Sequence, residues 1–456
     1  MRNALVVADD LTGATDTGHG FAARGRGVRV RRSVDADTAD AGSGGDPAPG
    51  ADPVSETDAD VLVVDTDSRD ADPGTAAAAV ARAVETRPAP LVYKKVDSTL
   101  RGNVVAEVDA ALAAAGAALA VVAPAFPATG RTTEGGRHLV DGTPLSEAGY
   151  GVAESDLRGL FAGSEYPVAR LDGDTVDAGP SAVAARLADL AAADRPTLAV
   201  CDARSDGDLD AIATGAASLE ASALHVGSGG LAAHVSVPGD PSDPPPDVST
   251  DPRRSGVLGV VGSVNERTLA QLEAVDDGAV VAVDPAAAVR DPASAGRAAA
   301  ESLGALLDWH GRAVVTAATE PDDVAAAERA AGEIAGEGTA ADSLAADRAT
   351  GEIAGEGTAA DSLAADRVAA ALAAAARATV EASPPAGLVL TGGDTAGTVL
   401  DALDAGEIAL TGEAVAAGVP VGAVADGPAA GTRVATKAGG FGTERVILNC
   451  LDALGR

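Results

Sequence analysis

Cysteine, lysine and aromatic residues are scarce in this chain of 456 residues. Its two cysteines, Cys201 and Cys450, are too few for a disulfide framework and lack metal-ligand spacing, and their apolar surroundings favour buried thiols. The opening run MRNALVVADD is too short for a signal peptide, and no apolar stretch is long enough to span a bilayer. We therefore expect a cytoplasmic protein that does not enter a membrane.

Positive charge is also scarce, since 33 basic residues face 68 acidic ones and leave a net charge of −35. That charge disfavours nucleic acids and anionic membranes as partners. Concentrated salt would screen the self-repulsion, because the Debye length falls to about 3 Å near 1 M salt. Abundant Asp with little Lys is typical of a halophilic cytoplasm, although a GC-rich genome produces a similar bias. Of the two explanations, we favour the halophilic one.

Short apolar runs alternate along the chain with alanine-rich segments of helical pattern. Each run ends in a turn of Gly, Asp or Ser, as in ALVVADD at 4–10, LVYKKVDS at 91–98 and GLVLTGGDT at 387–395. Such runs are typical of parallel strands that are buried on both faces. The sequence therefore predicts an α/β fold, in which two domains have mainly parallel sheets flanked by helices.

Two stretches bear on the organisation of the chain. Residues 237–255 are rich in Pro and Asp, which predicts a linker between domains at 1–236 and 256–456. The segment GEIAGEGTAADSLAADR occurs at 332–348 and again, unchanged, at 351–367. Two copies are too few for a solenoid, so we interpret them as a tandem duplication that lengthens a surface loop or helix.

Two adjacent carboxylates follow the first apolar run, in LVVADDLTGATDTG at 5–18. At the carboxyl end of a strand, Asp9 and Asp10 can position a hydroxyl, act as a base or hold Mg²⁺. An Asp at such a junction also serves as an ordinary helix N-cap. Two acids and several hydroxyls exceed what a cap requires, which favours a functional interpretation.

Two of the three lysines of the chain, Lys94 and Lys95, stand side by side in LVYKKVDSTLRGN at 91–103. Asp97 and Arg101 follow them. This mixture of charges suits an anionic substrate with hydroxyl groups, because Arg offers a planar fork to a carboxylate and Lys a compact point charge. A simpler interpretation is that Asp97 and Arg101, four residues apart, form a pair that stabilises the start of a helix.

Three glycine turns stand in the second half of the chain: VVGSVN around Ser263, GGDT at 392–395 and KAGGFG around Gly440. Glycine allows close approach of the backbone, and N–H groups at the start of a helix favour phosphate. None of the turns is a Walker A loop or a GxGxxG motif, and parallel α/β proteins also contain such turns without a ligand. On one sheet, however, the three could form a nucleotide site.

A fourth pattern points elsewhere. VLVVDTDSR at 61–69 resembles the strand and DxD start of haloacid-dehalogenase-type phosphatases, in which Asp65 would be the nucleophile. The Gly-Thr that usually follows is replaced by Ser68–Arg69, which weakens this interpretation. The five histidines form no metal-ligand cluster, so the residues that would bind a metal are left open.

Six stretches together resemble the successive motifs of the four-carbon acid sugar kinases. In order from residue 5 to about 445 they are ADDLTGATD, KKVDSTLRGN, APAFPATGRTTEGGRHLV, HVGSGGLA, TGGDTAGTVL and TKAGGFG. Asp stands in GGDT where the family often has Glu. The resemblance implies an N-terminal sugar-acid-binding domain, a C-terminal ATP-binding domain and an active site in the cleft between them. The implied reaction transfers the γ-phosphate of ATP to a terminal hydroxyl of a threonate, erythronate or oxo-tetronate.

The resemblance also implies roles for individual residues. Asp10 would be the base or orienting group at the accepting hydroxyl, with Asp9 in support. The substrate carboxylate or the transferring phosphate would be bound by Lys95 and Arg101. The weaker candidates for substrate binding are Arg69, Arg131 and His138.

For ATP, the resemblance points to the glycine turns. The implied residues are Ser263, Gly392, Gly393, Asp394, Thr395 and Gly440. Mg²⁺ would bridge the phosphates. On this interpretation Lys94 and the third lysine, Lys437, are retained because they also hold anions.

Two alternatives stay open beside the kinase. One is a catalytically silent sensor that binds the sugar acid and the nucleotide, and the less favoured one is a phosphatase that uses Asp65. The sequence allows a homo-oligomer without determining the oligomeric state.

Overall fold

The computed structural model describes residues 2–32, 59–241, 254–342 and 359–455. They form two compact units, the first of which comprises the described residues up to 241 together with Glu407–Glu413. The predicted linker lies mostly outside the described residues, so its role stays a prediction. Residues 407–413, which the sequence division assigned to the second domain, belong to the first unit instead.

The first unit contains a mostly parallel sheet in the order β16-β2-β3-β1-β4-β11-β5-β10-β9, and a small antiparallel sheet of β6, β7 and β8. The strands are β1 Ala4–Ala8, β2 Val28–Arg32, β3 Val61–Asp65, β4 Leu91–Lys95, β5 Leu119–Ala123, β6 Arg131–Glu134, β7 Arg137–Val140, β8 Thr143–Pro144, β9 Val168–Leu171, β10 Thr197–Cys201 and β11 Ala223–Gly227. β16 spans Glu407–Ala416, and its first residues pair antiparallel with β2 at the sheet edge.

Helices flank this sheet. The α-helices of the first unit are α1 Leu11–Ala22, then Pro73–Thr86, Val104–Ala115, Leu157–Leu160, Gly173–Asp177, Pro180–Ala191, Asp206–Ala217 and Gly229–Ala232. Many begin at a side-chain cap. Asp72, for example, accepts from the N–H groups of Gly74 and Thr75 and precedes a proline, which is a favourable helix start.

The second unit has the strand order β13-β14-β12-β15-β18-β17, parallel except for β17. Its strands are β12 Val257–Val261, β13 Val280–Ala282, β14 Arg312–Thr316, β15 Gly387–Thr391, β17 Val419–Val424 and β18 Arg433–Lys437. Its α-helices are Glu266–Glu273, Pro285–Arg290, Pro292–His310, Pro321–Asp342, Ala359–Ala382, Gly393–Ala402 and Val446–Leu454. Among the described residues, no helix is both long and apolar enough to cross a membrane.

The central strands are apolar because helices cover both faces of each sheet. All five residues of β1, β3, β5 and β12 are buried. Full burial of each Val or Leu stabilises the fold by about 1.5–3 kcal/mol relative to exposure. The predicted α/β class, with mainly parallel sheets flanked by helices, is confirmed.

The connections between strands place a crevice in the first unit. β1 and β4 are parallel neighbours. After β1 the chain continues to β2, toward one edge of the sheet, whereas after β4 it continues to β5, toward the opposite edge. Their carboxyl ends therefore meet at a topological switch point, where open α/β sheets bind ligands.

Candidate active site

Asp9 and Asp10 lie at this switch point, directly after β1, and Arg69 bridges them. The Arg69 guanidinium donates from Nε to Asp9 Oδ2 at 2.7 Å and from Nη2 to Asp10 Oδ1 at 2.8 Å. Asp10 is also the N-cap of α1, since it accepts from the Gly13 N–H at 3.0 Å and from Thr12 Oγ1 at 2.6 Å. Asp10 therefore caps α1 and also forms an ion pair with Arg69.

The surrounding cations control the ionisation of Asp9. Burial by itself would raise the pKa of this carboxyl, but Arg69, Lys94 and Lys95 outweigh burial and hold the pKa below its ordinary value. Asp9 therefore stays ionised and fixes the position of Arg69.

The two neighbouring lysines have different surroundings, because successive side chains of a strand point to opposite faces. Lys94 is fully buried, and its Nζ lies 3.0 Å from Glu107 Oε2 and donates to the Lys95 carbonyl at 2.6 Å. Glu107 also accepts from Ser68 Oγ at 2.6 Å. The hypothesis that Lys94 holds a substrate anion is therefore not supported, since its charge is compensated within the fold.

Lys95 is nearly as buried, at 4% exposure, yet its ammonium makes no hydrogen bond or close ion pair with a side chain among the residues described. A Cβ at Gly13 would come within 2.9 Å of Lys95 Nζ and 2.4 Å of Asp10 Oδ1. Glycine at position 13 therefore leaves room for both charged groups. A buried charge without a direct partner is costly, and an anion that enters the crevice would compensate it.

Asp97 and Arg101 form the pair that helical spacing suggests. Arg101 Nε lies 2.7 Å from Asp97 Oδ2, and Nη2 lies 3.1 Å from Oδ1. Burial would raise the pKa of Asp97, but Arg101, Arg69 and Lys95 hold it far below its ordinary value. Arg101 is about half exposed, at 48%, so part of its guanidinium still faces solvent.

These groups form one charged assembly at the carboxyl ends of three adjacent strands. We call it the switch-point cluster, and its members are Asp9, Asp10, Arg69, Lys95, Asp97 and Arg101. Arg69 connects the β1 carboxylates to Asp97, whose Oδ1 lies 3.9 Å from its Nη2. The sequence indicated Asp9, Asp10, Lys95, Arg69 and Arg101 as site candidates, and they converge here because the carboxyl ends of neighbouring parallel strands meet. It indicated Asp97 only as the partner of Arg101.

His138 and Arg131 lie on the small antiparallel sheet. His138 is buried, with its Nε2 2.8 Å from the Ser98 carbonyl and its Nδ1 3.1 Å from Thr133 Oγ1. Burial lowers the pKa of His138, and both ring nitrogens have partners, so its position suits a packing role rather than the expected contact with substrate. Arg131 donates to the Tyr150 hydroxyl at 3.1 Å, but its buried Nε has no hydrogen-bond partner among the described groups.

Asp16 received no role from the sequence, although it belongs to the quoted motif ADDLTGATD. It lies one helical turn beyond Gly13, on the face of α1 that carries Gly13 toward Lys95. Its Oδ2 would be 2.4 Å from a Cβ at Gly229, which follows β11. Burial raises the pKa of Asp16 to about 6, with Lys95 opposing and Asp10 adding to the shift. Helical spacing from Gly13 is the signal that could have identified this carboxylate.

The three glycine turns converge in the second unit, because β12, β15 and β18 are adjacent and parallel. The Gly262 N–H donates to the Thr391 carbonyl at 3.3 Å, and the Gly440 N–H donates to Thr268 Oγ1 at 3.2 Å. Thr268 in turn donates to Ser263 Oγ at 3.1 Å. The predicted convergence of these loops on one sheet is therefore observed.

Glycine is required where these loops touch. A Cβ at Gly262 would lie 1.9 Å from Thr395 Oγ1, and one at Gly439 would lie 2.4 Å from Ser263 Oγ. Gly392 has φ = 87°, a conformation that favours glycine, and it precedes the helix Gly393–Ala402. Backbone N–H groups at this helix start, in loops without side-chain bulk, fit the phosphates of a nucleotide.

Lys437 does not extend into the space beside these loops. It is buried, and its Nζ donates to the carbonyls of Ala438 at 2.8 Å and Phe441 at 3.2 Å. Burial lowers the pKa of this lysine to about 8. The hypothesis that it holds an ATP phosphate is therefore not supported, because its ammonium bonds within the loop that carries Gly440.

For Mg²⁺, the relevant observation is the donor set. Within the described ranges, no group of three or more His, Cys, Asp and Glu side chains could hold a metal ion. Mg²⁺ in phosphoryl-transfer sites usually takes one or two carboxylates and several phosphate oxygens and waters. Asp394, in the first turn of the helix beside Gly392, is a carboxylate that fits this sparse arrangement.

Asp65, the nucleophile of the phosphatase alternative, is buried at the end of β3. Burial raises the pKa of Asp65 to about 7, with Arg32 opposing and Asp10 adding to the shift. Asp67, which would be the acid partner, is 70% exposed. A buried carboxyl with a raised pKa is a poor nucleophile for a phosphate ester, so the geometry does not favour a phosphatase.

Comparison with known domains assigns both halves of the chain. A family model described as a sugar-binding N-terminal domain matches residues 4–235, and one described as a nucleotide-binding C-terminal domain matches residues 258–447. The switch-point cluster lies in the first match and the three glycine loops lie in the second.

Curated relatives cover most of the chain. A D-threonate kinase of Salmonella typhimurium is 33% identical over 98% of this chain and 97% of its own length. A D-threonate kinase of Bordetella bronchiseptica is 36% identical over 80% of this chain and 78% of its own. A 3-oxo-tetronate kinase of Methylobacterium radiotolerans is 31% identical over 82% and 85%.

Solved structures share the fold. A crystal structure from Salmonella typhimurium LT2 matches with a TM-score of 0.72 at 21% identity, covering 98% of both chains. The Haemophilus influenzae protein HI1011 matches with a TM-score of 0.65 at 22% identity, covering 99% of this chain and all of that one. At these identities the structures support the fold, whereas the domain matches and curated relatives establish the family. The chain belongs to the four-carbon acid sugar kinases.

Proposed function

We propose that this protein transfers the γ-phosphate of ATP to a terminal hydroxyl of a four-carbon sugar acid. The observation that carries the proposal is Lys95, at the switch point of a sugar-binding domain, whose buried ammonium has no direct side-chain partner among the residues that the structure describes. A sugar acid supplies the missing anion through its carboxylate. Its hydroxyl groups are suited to the carboxylates that surround Lys95.

Individual residues of the switch-point cluster have different proposed roles in substrate binding. Lys95 and the exposed part of Arg101 bind negative charge on the acid or on the transferring phosphate. Arg69 is held by Asp9 and Asp10 and places one positive charge beside them. Arg131 offers one further donor through its Nε.

The glycine loops of the second unit bind the nucleotide in this proposal. The phosphates approach the backbone of the loops at Gly392, Gly393 and Gly440, with the Ser263 and Thr395 hydroxyls beside them. Mg²⁺, when bound, neutralises charge on the phosphates, and Asp394 is the carboxylate proposed to hold it. Phosphoryl transfer depends mainly on positioning and charge neutralisation, which these loops and the switch-point cluster supply.

The names of the relatives suggest which acids to test. Among them are kinases of D-threonate, D-erythronate and 3-oxo-tetronate. ADP release from ATP and Mg²⁺ should be measured in molar KCl with D- and L-threonate, D- and L-erythronate and their oxo derivatives. We expect release with one acid or a close pair. Silence across the panel, from protein whose folding is verified by circular dichroism, would overturn the proposal.

The sensor alternative predicts a different result with the same panel of acids. A sensor would bind an acid and ATP by calorimetry and would release no ADP. The family argues for turnover, because the curated relatives that cover most of the chain are named as kinases. The phosphatase alternative would release phosphate from a sugar phosphate without ATP.

A further inference from the structure

We propose that Asp16, rather than Asp10, accepts the proton of the substrate hydroxyl during phosphoryl transfer. The inference rests on the proposed function and assigns a catalytic role to a residue that the sequence reasoning did not single out. Three observations support it. The neighbouring carboxylates already have hydrogen-bond or ion-pair partners, Asp16 lies in the same crevice, and a glycine leaves space beside its carboxylate.

The three carboxylates of the switch-point cluster already accept hydrogen bonds or form ion pairs. Asp10 accepts three hydrogen bonds, from Gly13, Thr12 and Arg69. Asp9 accepts two from Arg69, and Asp97 is paired with Arg101. A substrate hydroxyl that approached one of these carboxylates would compete with the donors that it already has.

Asp16 has no such partner. Within the described part of the chain, no hydrogen bond or close ion pair engages its carboxylate, and the residue is partly exposed. It nevertheless belongs to the same crevice, since Lys95 and Asp10 both act on its charge. A substrate whose carboxylate is bound by Lys95 can therefore present a hydroxyl to Asp16 within the same crevice.

The loop after β11 keeps space open for this carboxylate. Gly229 approaches Asp16 so closely that a Cβ would lie 2.4 Å from its Oδ2 and 3.2 Å from the Phe126 ring. Ser228 holds this turn by accepting from the Gly230 N–H and donating to the Ala125 carbonyl. The stretch HVGSGGLA of the family pattern is thereby connected to the chemistry of the crevice.

The electrostatics agree with the task of a base. Burial raises the pKa of Asp16 to about 6, close to the range in which a general base works best. The titratable and charged groups that act on Asp16 are Lys95 and Tyr93 on β4 and Asp10 before α1. Gly229 and Phe126, on the other side, carry no charge.

The step balances as follows. The terminal hydroxyl of the acid gives its proton to the Asp16 carboxylate, and its oxygen forms a bond to the γ-phosphorus. The bond from that phosphorus to the bridging oxygen breaks, and ADP leaves with the electron pair. Asp16 then releases the proton to water. No further reactant is required.

The test compares Asp16→Asn with wild type and with Asp189→Asn, a matched change at an exposed position on the helix Pro180–Ala191. We expect Asp16→Asn to lower kcat about 10²- to 10⁴-fold with little change in the KM for ATP. It should also remove the fall of kcat/KM below about pH 6. Comparison at each pH cancels the titration of ATP itself. Asp189→Asn should behave as wild type.

A purely structural role is separated by chemical rescue. Asp16→Ala should regain at least tenfold activity with added formate, which can occupy the vacated position, whereas a packing defect would not respond. If neither Asp16 variant folds, Gly229→Ala leaves the carboxylate present but displaced, and kcat should fall with the KM for ATP unchanged.

Three outcomes overturn the inference. The first is an Asp16→Asn variant whose kcat stays within threefold of wild type and whose kcat/KM still falls below about pH 6. The second is Gly229→Ala with wild-type kcat. The third is wild-type enzyme that phosphorylates no acid on the panel, which removes the proposed function and this inference together. If wild type and Asp16→Asn both phosphorylate an acid at similar rates, the proposed function stands and only the role of Asp16 is refuted.

Discussion

The two adjacent lysines show how differently neighbouring residues can be used. Lys94 is compensated by Glu107, whereas Lys95 has no direct side-chain partner in the described part of the chain, although both lysines are buried. The chain elsewhere uses Arg for almost all of its positive charge. The retained lysines therefore have separate explanations, a compact internal ion pair in one case and a proposed anion-binding group in the other.

Substituting each lysine should separate these roles. Lys95→Gln should raise the KM for the sugar acid about 10- to 100-fold, the loss of a charged hydrogen bond worth roughly 1.5–3 kcal/mol. ATP affinity and the thermal midpoint should stay near wild type. Lys94→Met, the matched control, should lower the free energy of unfolding by about 3–5 kcal/mol, because Glu107 is left buried and unpaired. Steady-state kinetics and urea titration measure both. The same phenotype in both variants would contradict the assignment.

Asp65 permits a prediction about pH at the same scale. Its pKa is raised to about 7 in the folded state, above the value of 3.8 for an unperturbed Asp. Its contribution to stability is therefore fully present below about pH 4 and is lost as the pH rises to about 7. Relative to wild type, Asp65→Asn should gain on the order of 2–3 kcal/mol between pH 5 and pH 8.

Urea titrations of both proteins at pH 5 and pH 8 measure this difference, and kinase activity is assayed in parallel. Activity should be unchanged in Asp65→Asn, since the proposed chemistry does not use Asp65. A relative stability that does not vary with pH would refute the raised pKa. Loss of kinase activity in folded protein would show instead that Asp65 contributes to the kinase site.

At the scale of elements, three strands bring the glycine loops together. The sequence indicated loops at Ser263, at GGDT and at Gly440, and parallel pairing of β12, β15 and β18 explains why they meet. Their contact is so close that single added methyl groups should disturb it. The role of the loops in ATP binding can therefore be tested without removing a charged residue.

Gly439→Ala should raise the Kd for ATP at least tenfold, because its Cβ would lie 2.4 Å from Ser263 Oγ and displace that loop. Gly332→Ala, an exposed glycine with nothing within 4 Å of an added Cβ, is the control in the same unit. Calorimetry with ATP and with the sugar acid measures both affinities. Unchanged ATP affinity in Gly439→Ala would exclude this loop from the nucleotide site.

The duplicated segment is a second matter at this scale. Residues 343–358 lie outside the described part of the chain, so the interpretation as an inserted copy stays a prediction. Helices Pro321–Asp342 and Ala359–Ala382 meet in a small core of Ala327, Ala331 and Ala364. Ile334 and Leu363, from the first and second copies, pack against it.

Deleting residues 343–361 leaves one copy of the repeat and retains Ile334 and Leu363. We expect soluble protein with activity within a few-fold of wild type, because the residues of the small core remain in the chain. Circular dichroism and the kinase assay check this, and insoluble or inactive protein would show that the longer form is required.

At the scale of the whole molecule, the dominant feature is the net charge of −35. Mutual repulsion at that charge destabilises the compact state, and salt reduces it as the Debye length falls from about 10 Å at 0.1 M to about 3 Å at 1 M. The thermal midpoint should therefore rise by more than about 5 °C between 0.1 and 2 M KCl, roughly 2 kcal/mol for a domain of this size. Sucrose at equal osmolality should produce a smaller rise. A midpoint independent of KCl would exclude adaptation to salt.

The sequence by itself determined the fold class, the polar strand ends and the family. Continuous apolar runs, without alternating polar residues, are typical of parallel strands that are buried on both faces. The order of the six motifs is specific enough to identify the four-carbon acid sugar kinases. The resemblance to this family also implied one substrate site for Asp10, Lys95, Arg69 and Arg101, and the structure brings them together because the carboxyl ends of parallel strands meet at one edge.

The tertiary structure decided which charged groups are already compensated. Lys94 and Glu107, thirteen positions apart, meet only because the helix Val104–Ala115 packs on the sheet beside β4. Lys437 bonds to carbonyls of its own loop, and β16 joins the sheet of the first unit through pairing with β2. Partnership between distant side chains is set by packing, which local pattern does not encode. The same packing leaves Lys95 and Asp16 with capacity for a ligand.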